Sequence, residues 1–171
     1  MSGAAVRIRD EIRADQAAIE TVTEAAFRNA PHAGHTEQFI VNALRAAGKL
    51  SLSLVAEIDD EIVGHVAVSP VSISDGTPSW FGLGPISVVP RHQGHGIGSS
   101  LMNEALRRLR ESGASGCVLV GNPAYYRRFG FRAEPNLVYP GLPPEYFQAI
   151  AFTSALPRGT VSYHEAFGAT S

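Results

Sequence analysis

Residues 88–101 read Val88-Val89-Pro90-Arg91-His92-Gln93-Gly94-His95-Gly96-Ile97-Gly98-Ser99-Ser100-Leu101. A β-branched run ends at a proline, passes through alternate glycines and opens into a segment with Ile97, Leu101, Ala105 and Leu109 at helical spacing. Glycines at alternate positions leave no Cβ to block close approach, so successive backbone N–H groups converge on an anion. The following helix adds its N-terminal partial positive charge. The expected ligand carries a phosphate or pyrophosphate.

Other glycine loops demand residues that are missing here. A Walker loop needs Gly-Lys followed by Ser or Thr, and Gly98 is followed directly by Ser99. A dinucleotide fingerprint needs its third Gly or Ala where Ser99 stands, and no acid closes the next candidate strand, Cys117-Val118-Leu119-Val120. What remains, Gln93-x-x-Gly96-x-Gly98 directly after a strand ending in Val-Pro, resembles the acetyl-CoA signature of the GNAT superfamily of N-acetyltransferases.

A second segment, Asn122-Pro123-Ala124-Tyr125-Tyr126-Arg127-Arg128-Phe129-Gly130-Phe131, agrees with the first. Asn122 is a good N-cap, Pro123 suits the first helical position and Gly130 can stop the helix in a left-handed conformation, so a short helix of about two turns is predicted. In GNAT proteins this element ends in Tyr-x-x-x-Gly-Phe, and the matching tyrosine is Tyr126. The run 117–126, with Gly64-His65-Val66-Ala67 and Tyr163-His164-Glu165-Ala166-Phe167, is similar to the YhbS-like bacterial branch. The matches span residues 37–167.

The resemblance implies a single N-acetyltransferase domain over residues 1–171, of α/β (α+β) class. Its central sheet is mixed, mostly antiparallel and twisted, split by a β-bulge and flanked by helices on both faces. It implies acetyl-CoA as cosubstrate, with the pantetheine arm bonded to backbone near Ile86 and Val88. The phosphates are then held by the turn of Gln93, Gly94, His95 and Gly96 and by Ile97, Gly98 and Ser99 at the helix start. Asn122 joins this cofactor-binding set, and Tyr126 hydrogen-bonds or protonates the departing thiolate.

Composition permits this reading and excludes others. With 171 residues, 44% of them hydrophobic, the chain can bury a sizeable core. A net charge of −2 and basic pairs only at Arg107-Arg108 and Arg127-Arg128 argue against a nucleic-acid partner. No apolar run approaches the roughly eighteen residues of a membrane span. Met1-Ser2-Gly3-Ala4-Ala5-Val6-Arg7 lacks the apolar core of a signal peptide, so a cytoplasmic monomer or homodimer with no membrane partner is expected.

Helices are predicted from Asp15, as N-cap, to Phe27, over Thr36–Ala47, and from Ile97 towards Gly113. Strands are predicted over 52–58 and 62–68, joined by Asp59-Asp60-Glu61, and over 80–89, 116–120, 147–152 and 160–163. In the strand 80–89, Gly82, Gly84 and Pro85 weaken a regular ladder.

Several residues admit two readings. Tyr125 is read as structural and Tyr126 as catalytic, although Tyr126 alternatively serves only as a helix-face aromatic. The lone Cys117 reads as a small buried hydrophobe rather than a nucleophile. No histidine pair has the spacing of a helical metal site, so no metal is expected. His92 and His95 read as solvent-facing, and His65 as a hydrogen-bonded core histidine. Family members often place an acid on the bulged strand, but between Trp80 and Val89 only Trp80 and Ser87 are polar. The base is therefore a water chain, Glu37 or His65. Glu37, in the polar cluster His32, His35, Thr36, Glu37 and Gln38, is the candidate to hold a cationic amine, although an acid there also suits the helix dipole. The function expected is acetyl transfer from acetyl-CoA to a primary amine, the alternative being a non-catalytic acyl-CoA sensor.

Overall fold

The computed structural model describes residues 5–30 and 34–171. Eight strands, β1 (Arg7–Asp10), β2 (Leu52–Ile58), β3 (Glu61–Ile73), β4 (Trp80–Val88), β5 (Gly116–Val120), β6 (Leu137–Val138), β7 (Phe147–Ala151) and β8 (Gly159–Tyr163), form a mixed sheet. Its order is β1-β2-β3-β4-β5-β7, with β8 beside β3 and β6 beside β8. The α-helices are α1 (Gln16–Phe27), α2 (Glu37–Ala46), α3 (Ile97–Glu111) and the single turn α4 (Pro123–Tyr126). By internal contacts the chain divides into two compact units, Met1–Val68 with Gly84–Ala105 and Glu165–Ser171, and Ser69–Leu83 with Leu106–His164.

In the first unit, β1, β2 and β3 are antiparallel neighbours. Asp59 and Asp60, both at positive φ (49° and 64°), close the β2/β3 hairpin in the two-residue form that matches strand twist. Alternation then sorts the side chains. Val55 and Ala67 face α1 and α2 and pack with Ile19 and Val41. The opposite face of β3 meets α3: a Cβ on Gly64 would lie 3.1 Å from Leu101 and 3.3 Å from Ile97. Helices therefore cover both faces of this part of the sheet, and hydrogen at Gly64 is what lets α3 sit close.

In the second unit, β5 pairs antiparallel with β7 along its whole length, whereas its parallel ladder with β4 spans only Trp80↔Gly116, Phe81↔Cys117 and Gly82↔Val118. The ladder stops just before Gly84 and Pro85, which has no N–H to donate. Trp80, Val118, Phe147, Ala149 and Val161 form the core of this unit, and Gly116 lies so close beneath the Trp80 indole that no side chain fits.

The β3/β4 pair carries an inserted residue. At one end the Val89 N–H donates to the Val63 carbonyl at 2.9 Å; towards the other, Gly82 shares a face with Val71. The separation is eight residues from Val63 to Val71 but seven from Gly82 to Val89, so the alternation must slip by one in between, as at a β-bulge.

Several expectations change. The strand predicted over 62–68 runs on to Ile73, because Pro70 falls where the partner of β3 switches from β2, last paired at Val68, to β8, first paired at Val71. No ladder N–H is needed at that junction. The short strands β1 and β6 were not predicted, since Arg7-Ile8-Arg9-Asp10 and Leu137-Val138 offer too few apolar residues to show a period. Asp15 does not cap α1. Its carboxylate accepts the Ile12 N–H at 2.7 Å and the Arg9 guanidinium at 2.8 Å, because β1 brings Arg9 within reach. The Arg9 hydrogen bonds hold Asp15 below the ordinary carboxylate pKa.

Candidate active site

Gly94 (φ 80°) and Gly96 (φ 83°) are both left-handed, and nothing lies within 4 Å of where a Cβ would project from either. The turn is thus an open backbone cradle. The Gln93 side-chain amide donates to the Val88 carbonyl at 2.8 Å and pins the turn to the end of β4. The first helical bond at the start of α3 is Ser100 N–H to Gly96 C=O, so the preceding N–H groups of Ile97, Gly98 and Ser99 have no intrahelical acceptor. No acid stands in the first turn of α3 to neutralise its positive end. Gln93, Gly94, His95 and Gly96 are exposed, Gly98 and Ser99 half-buried. The Ile97 side chain is buried among core groups, which leaves only its N–H for a ligand. Ile86 and Val88 are half-buried on β4. This donor set fits a pyrophosphate.

The second segment lies in the other unit. Asn122 Oδ1 accepts the Ala124 N–H at 2.9 Å, the predicted N-cap, and Pro123 opens the helix. A 3-10 turn, Arg127–Phe129, follows and ends at left-handed Gly130 (φ 99°). Tyr126 lies flush on Gly121, where no side chain fits, and meets the Tyr125 ring edge-on at 4.9 Å between centroids. Burial, with a smaller contribution from Tyr125, raises the Tyr126 phenol pKa and keeps it protonated. Tyr125 instead stacks under the Arg128 guanidinium at 4.5 Å. Cys117 is fully buried, and burial pushes its thiol pKa up, away from a nucleophilic thiolate.

Glu37 opens α2. One carboxylate oxygen, Oε2, accepts the Gly34 N–H at 3.0 Å, while Oε1 is buried with no hydrogen-bond partner among the described residues. Gln38 is buried and His35 exposed; His32 lies outside the described residues. Among the described residues, no group of three His, Cys, Asp or Glu side chains is placed to hold a metal.

A buried polar network was only partly visible in the sequence. His65 is fully buried, with Nε2 2.7 Å from Ser53 Oγ; Ser53 donates to Glu11, and Arg45 grips both Glu11 oxygens at 2.8 and 2.9 Å. The Glu11 end opens into a cleft of about 340 Å³ lined also by Asp10, Ser51 and Leu52. Burial pushes Glu11 up, but hydrogen bonds from Arg45 and Ser53 more than offset it and hold the carboxyl below its ordinary pKa. Desolvation lowers His65 to about 4, against a smaller upward pull from Glu11. The available signal was a polar residue at an inward position of each strand, Ser53 between leucines and His65 after Gly64; nothing local linked them to Glu11 or Arg45.

This burial has a pH signature. The unfolded chain takes a proton at His65 near the ordinary value, 6.5, and the folded chain only near 4, so the stability present above pH 6.5 drains away as pH falls towards 4. Urea unfolding at pH 7 and pH 4.5 should show a loss of about 2 kcal/mol attributable to this group. The loss should be absent from the corresponding difference in His65→Gln; an equal acid loss in the variant would mean that His65 is not held neutral.

The acetyltransferase (GNAT) domain family matches residues 8–133. YhbS of Escherichia coli (strain K12), an uncharacterized N-acetyltransferase, is 33% identical over 167 residues, 94% of this chain and 97% of that protein. The crystal structure of E. coli YhbS in complex with CoA gives a TM-score of 0.84 at 32% identity, covering 98% of this chain and 94% of that one. A GNAT family acetyltransferase from Brucella melitensis, crystallised in complex with acetyl-CoA, is 49% identical with a TM-score of 0.86, covering 96% of this chain and 99% of that one. The open glycine cradle, the protonated phenol and the strand order thus fall in a chain that belongs to the GNAT family of N-acetyltransferases and has the GNAT fold.

Proposed function

We propose that residues 1–171 act as one N-acetyltransferase domain, a cytoplasmic monomer or homodimer, that moves the acetyl group of acetyl-CoA to a primary amine by direct attack. The observation that carries the reading is the open cradle at Gly94 and Gly96 on an uncompensated helix N-terminus, supported by the relative crystallised with acetyl-CoA. The pyrophosphate sits on the N–H groups of the turn and of α3. The acceptor ammonium first releases one proton to water; the neutral amine nitrogen then attacks the thioester carbonyl, whose oxygen is polarised by backbone N–H near Val88. The C–N bond forms, the C–S bond breaks, the nitrogen gives up its second proton to a base, and Tyr126 protonates the departing thiolate and is reprotonated from solvent. Holding both reactants in register supplies much of the rate.

Glu37 holds the incoming cation. Its partnerless, buried Oε1 is an acceptor in want of a donor, which an ammonium or amine N–H supplies. The test is a panel of amines, aminoglycosides, amino acids and peptides, followed by thiol release from acetyl-CoA. With an amine that turns over, Glu37→Gln should raise the acceptor KM about tenfold, as for loss of a charged hydrogen bond, while acetyl-CoA affinity stays within about twofold. If Glu37 served only the helix dipole, the change would instead cost about 0.3–1 kcal/mol of stability and leave acceptor kinetics alone. Failure of every amine to release thiol would refute catalysis on amines.

A further inference from the structure

Direct attack leaves the proton of the attacking nitrogen without a destination, since β4 carries no acid and its only hydroxyl is Ser87. The buried network ends beside that strand. Glu11, ionised and gripped by Arg45, can only accept hydrogen bonds, so the single hydroxyl proton of Ser53 must point to it. Ser53 Oγ then acts as acceptor towards His65, whose Nε2 must carry the hydrogen. The other ring nitrogen, Nδ1, is left as an unprotonated lone pair, buried and without a partner.

An unpartnered donor stands opposite. The Val89 N–H to Val63 C=O bond sets the local register of β3 and β4. The Ser87 carbonyl oxygen lies 3.1 Å from where a Cβ on Gly64 would stand, which carries that register inward as far as Ser87, short of the inserted residue, and sets Ser87 opposite His65, on the face of β3 that Val55 and Ala67 share. Ser87 is 2% exposed, and its Oγ, like His65 Nδ1, has no partner. Directly opposed Cβ atoms lie about 5 Å apart, a span that one water bridges with two ordinary hydrogen bonds. Two orphaned buried polar atoms in so small a space are a costly arrangement unless something polar joins them.

We infer that His65 Nδ1 takes the proton released by the acylated nitrogen, passed on by Ser87 and one bridging water, while Glu11 and Ser53 hold His65 in the Nε2–H tautomer and stabilise the imidazolium. The inference rests on the acetyltransferase reading above. As the C–N bond forms, the nitrogen loses its proton to Ser87 Oγ, the hydroxyl proton moves to the water, and a water proton moves to Nδ1. Each oxygen gains one proton and gives one up, and the positive charge ends on the ring. The charged groups acting on that ring are Glu11, from the turn after β1, and Arg45, from α2. When product has left, the proton returns by the same path to solvent. A histidine that stays neutral through the physiological range suits this role. It cannot strip a free ammonium, but an acylated nitrogen is a far stronger acid, so transfer follows attack.

The experiment combines kinetics and spectroscopy on the full chain. With an amine found in the panel, Ser53→Ala should lower kcat about a hundredfold with the KM for acetyl-CoA unchanged, Ser53→Thr should restore most of it, and Ser87→Ala should match Ser53→Ala. In protein labelled with ¹⁵N-histidine, His65 should show a protonated Nε2 and a bare Nδ1 at pH 7, and lose that preference in Ser53→Ala. A purely structural network would lower the Tm of Ser53→Ala and leave kcat within twofold; that result in both alanine variants, or a protonated Nδ1 in the wild type, would overturn the relay. Wild-type protein that releases no thiol above its amine-free background with any amine of the panel would instead refute the acetyltransferase reading on which it rests.

Discussion

Gly96→Asp should abolish acetyl-CoA binding while leaving the protein folded. The backbone at Gly96 is left-handed, a conformation that aspartate tolerates better than most residues, and its Cβ would enter open space, so the fold has little reason to object. The added carboxylate would stand where the pyrophosphate is proposed to lie. At about 4 Å and an effective dielectric near 20, each pair of like charges costs about 4 kcal/mol, enough to weaken binding by more than a hundredfold. Gly96→Asn separates charge from bulk: it has nearly the same shape and should retain most of the affinity. Calorimetry on the three proteins decides the matter, and equal affinities for the aspartate and asparagine variants would remove the turn from the binding site.

The second large effect concerns chemistry rather than binding. Tyr126→Phe keeps the ring that lies against Gly121 and removes one hydroxyl, so acetyl-CoA affinity should change by less than about threefold while kcat falls ten- to a thousandfold. Burial raises the Tyr126 pKa above its ordinary value, so the phenol remains a proton donor through neutral and mildly alkaline pH. Wild-type activity should show no descending limb from this group below pH 10, its ordinary value. Tyr125→Phe should be nearly silent, because that residue's contacts to Arg128 and Phe129 use the ring and not the hydroxyl. Reversed effects at the two tyrosines would mean that the neighbouring side chain faces the thiolate.

Much of the local structure was legible because it depends on few residues. The anion turn required alternate glycines, and two of them adopt the positive φ that only such residues reach easily. Asn122 caps α4 and Gly130 ends the following turn for reasons contained within their own segment. Where the deciding partner was distant, the reading failed. Asp15 has the side chain of an N-cap, yet a bidentate contact with Arg9 from a strand with too little apolar content to foresee takes its carboxylate away from α1. The strand predicted over 62–68 runs on past Pro70 because β8 takes over from β2 as its partner.

The candidate site divides along the same line. Backbone conformation, helix polarity and the order of apolar residues are local properties, and from them came the anion turn, the Asn122 cap, the mixed sheet and the helices on it, whereas the role expected of Tyr126 came from the resemblance to the GNAT family. Pairing of the strands and packing of α2 decided that Glu11, Ser53, His65 and Arg45 meet, that His65 stays neutral, and that Glu37 and Ser87 are left with unpartnered buried atoms. A hydrogen bond between residues 11 and 53, or the desolvation of residue 65, depends on distances set by the whole sheet, and no periodicity or motif along the chain encodes such a distance.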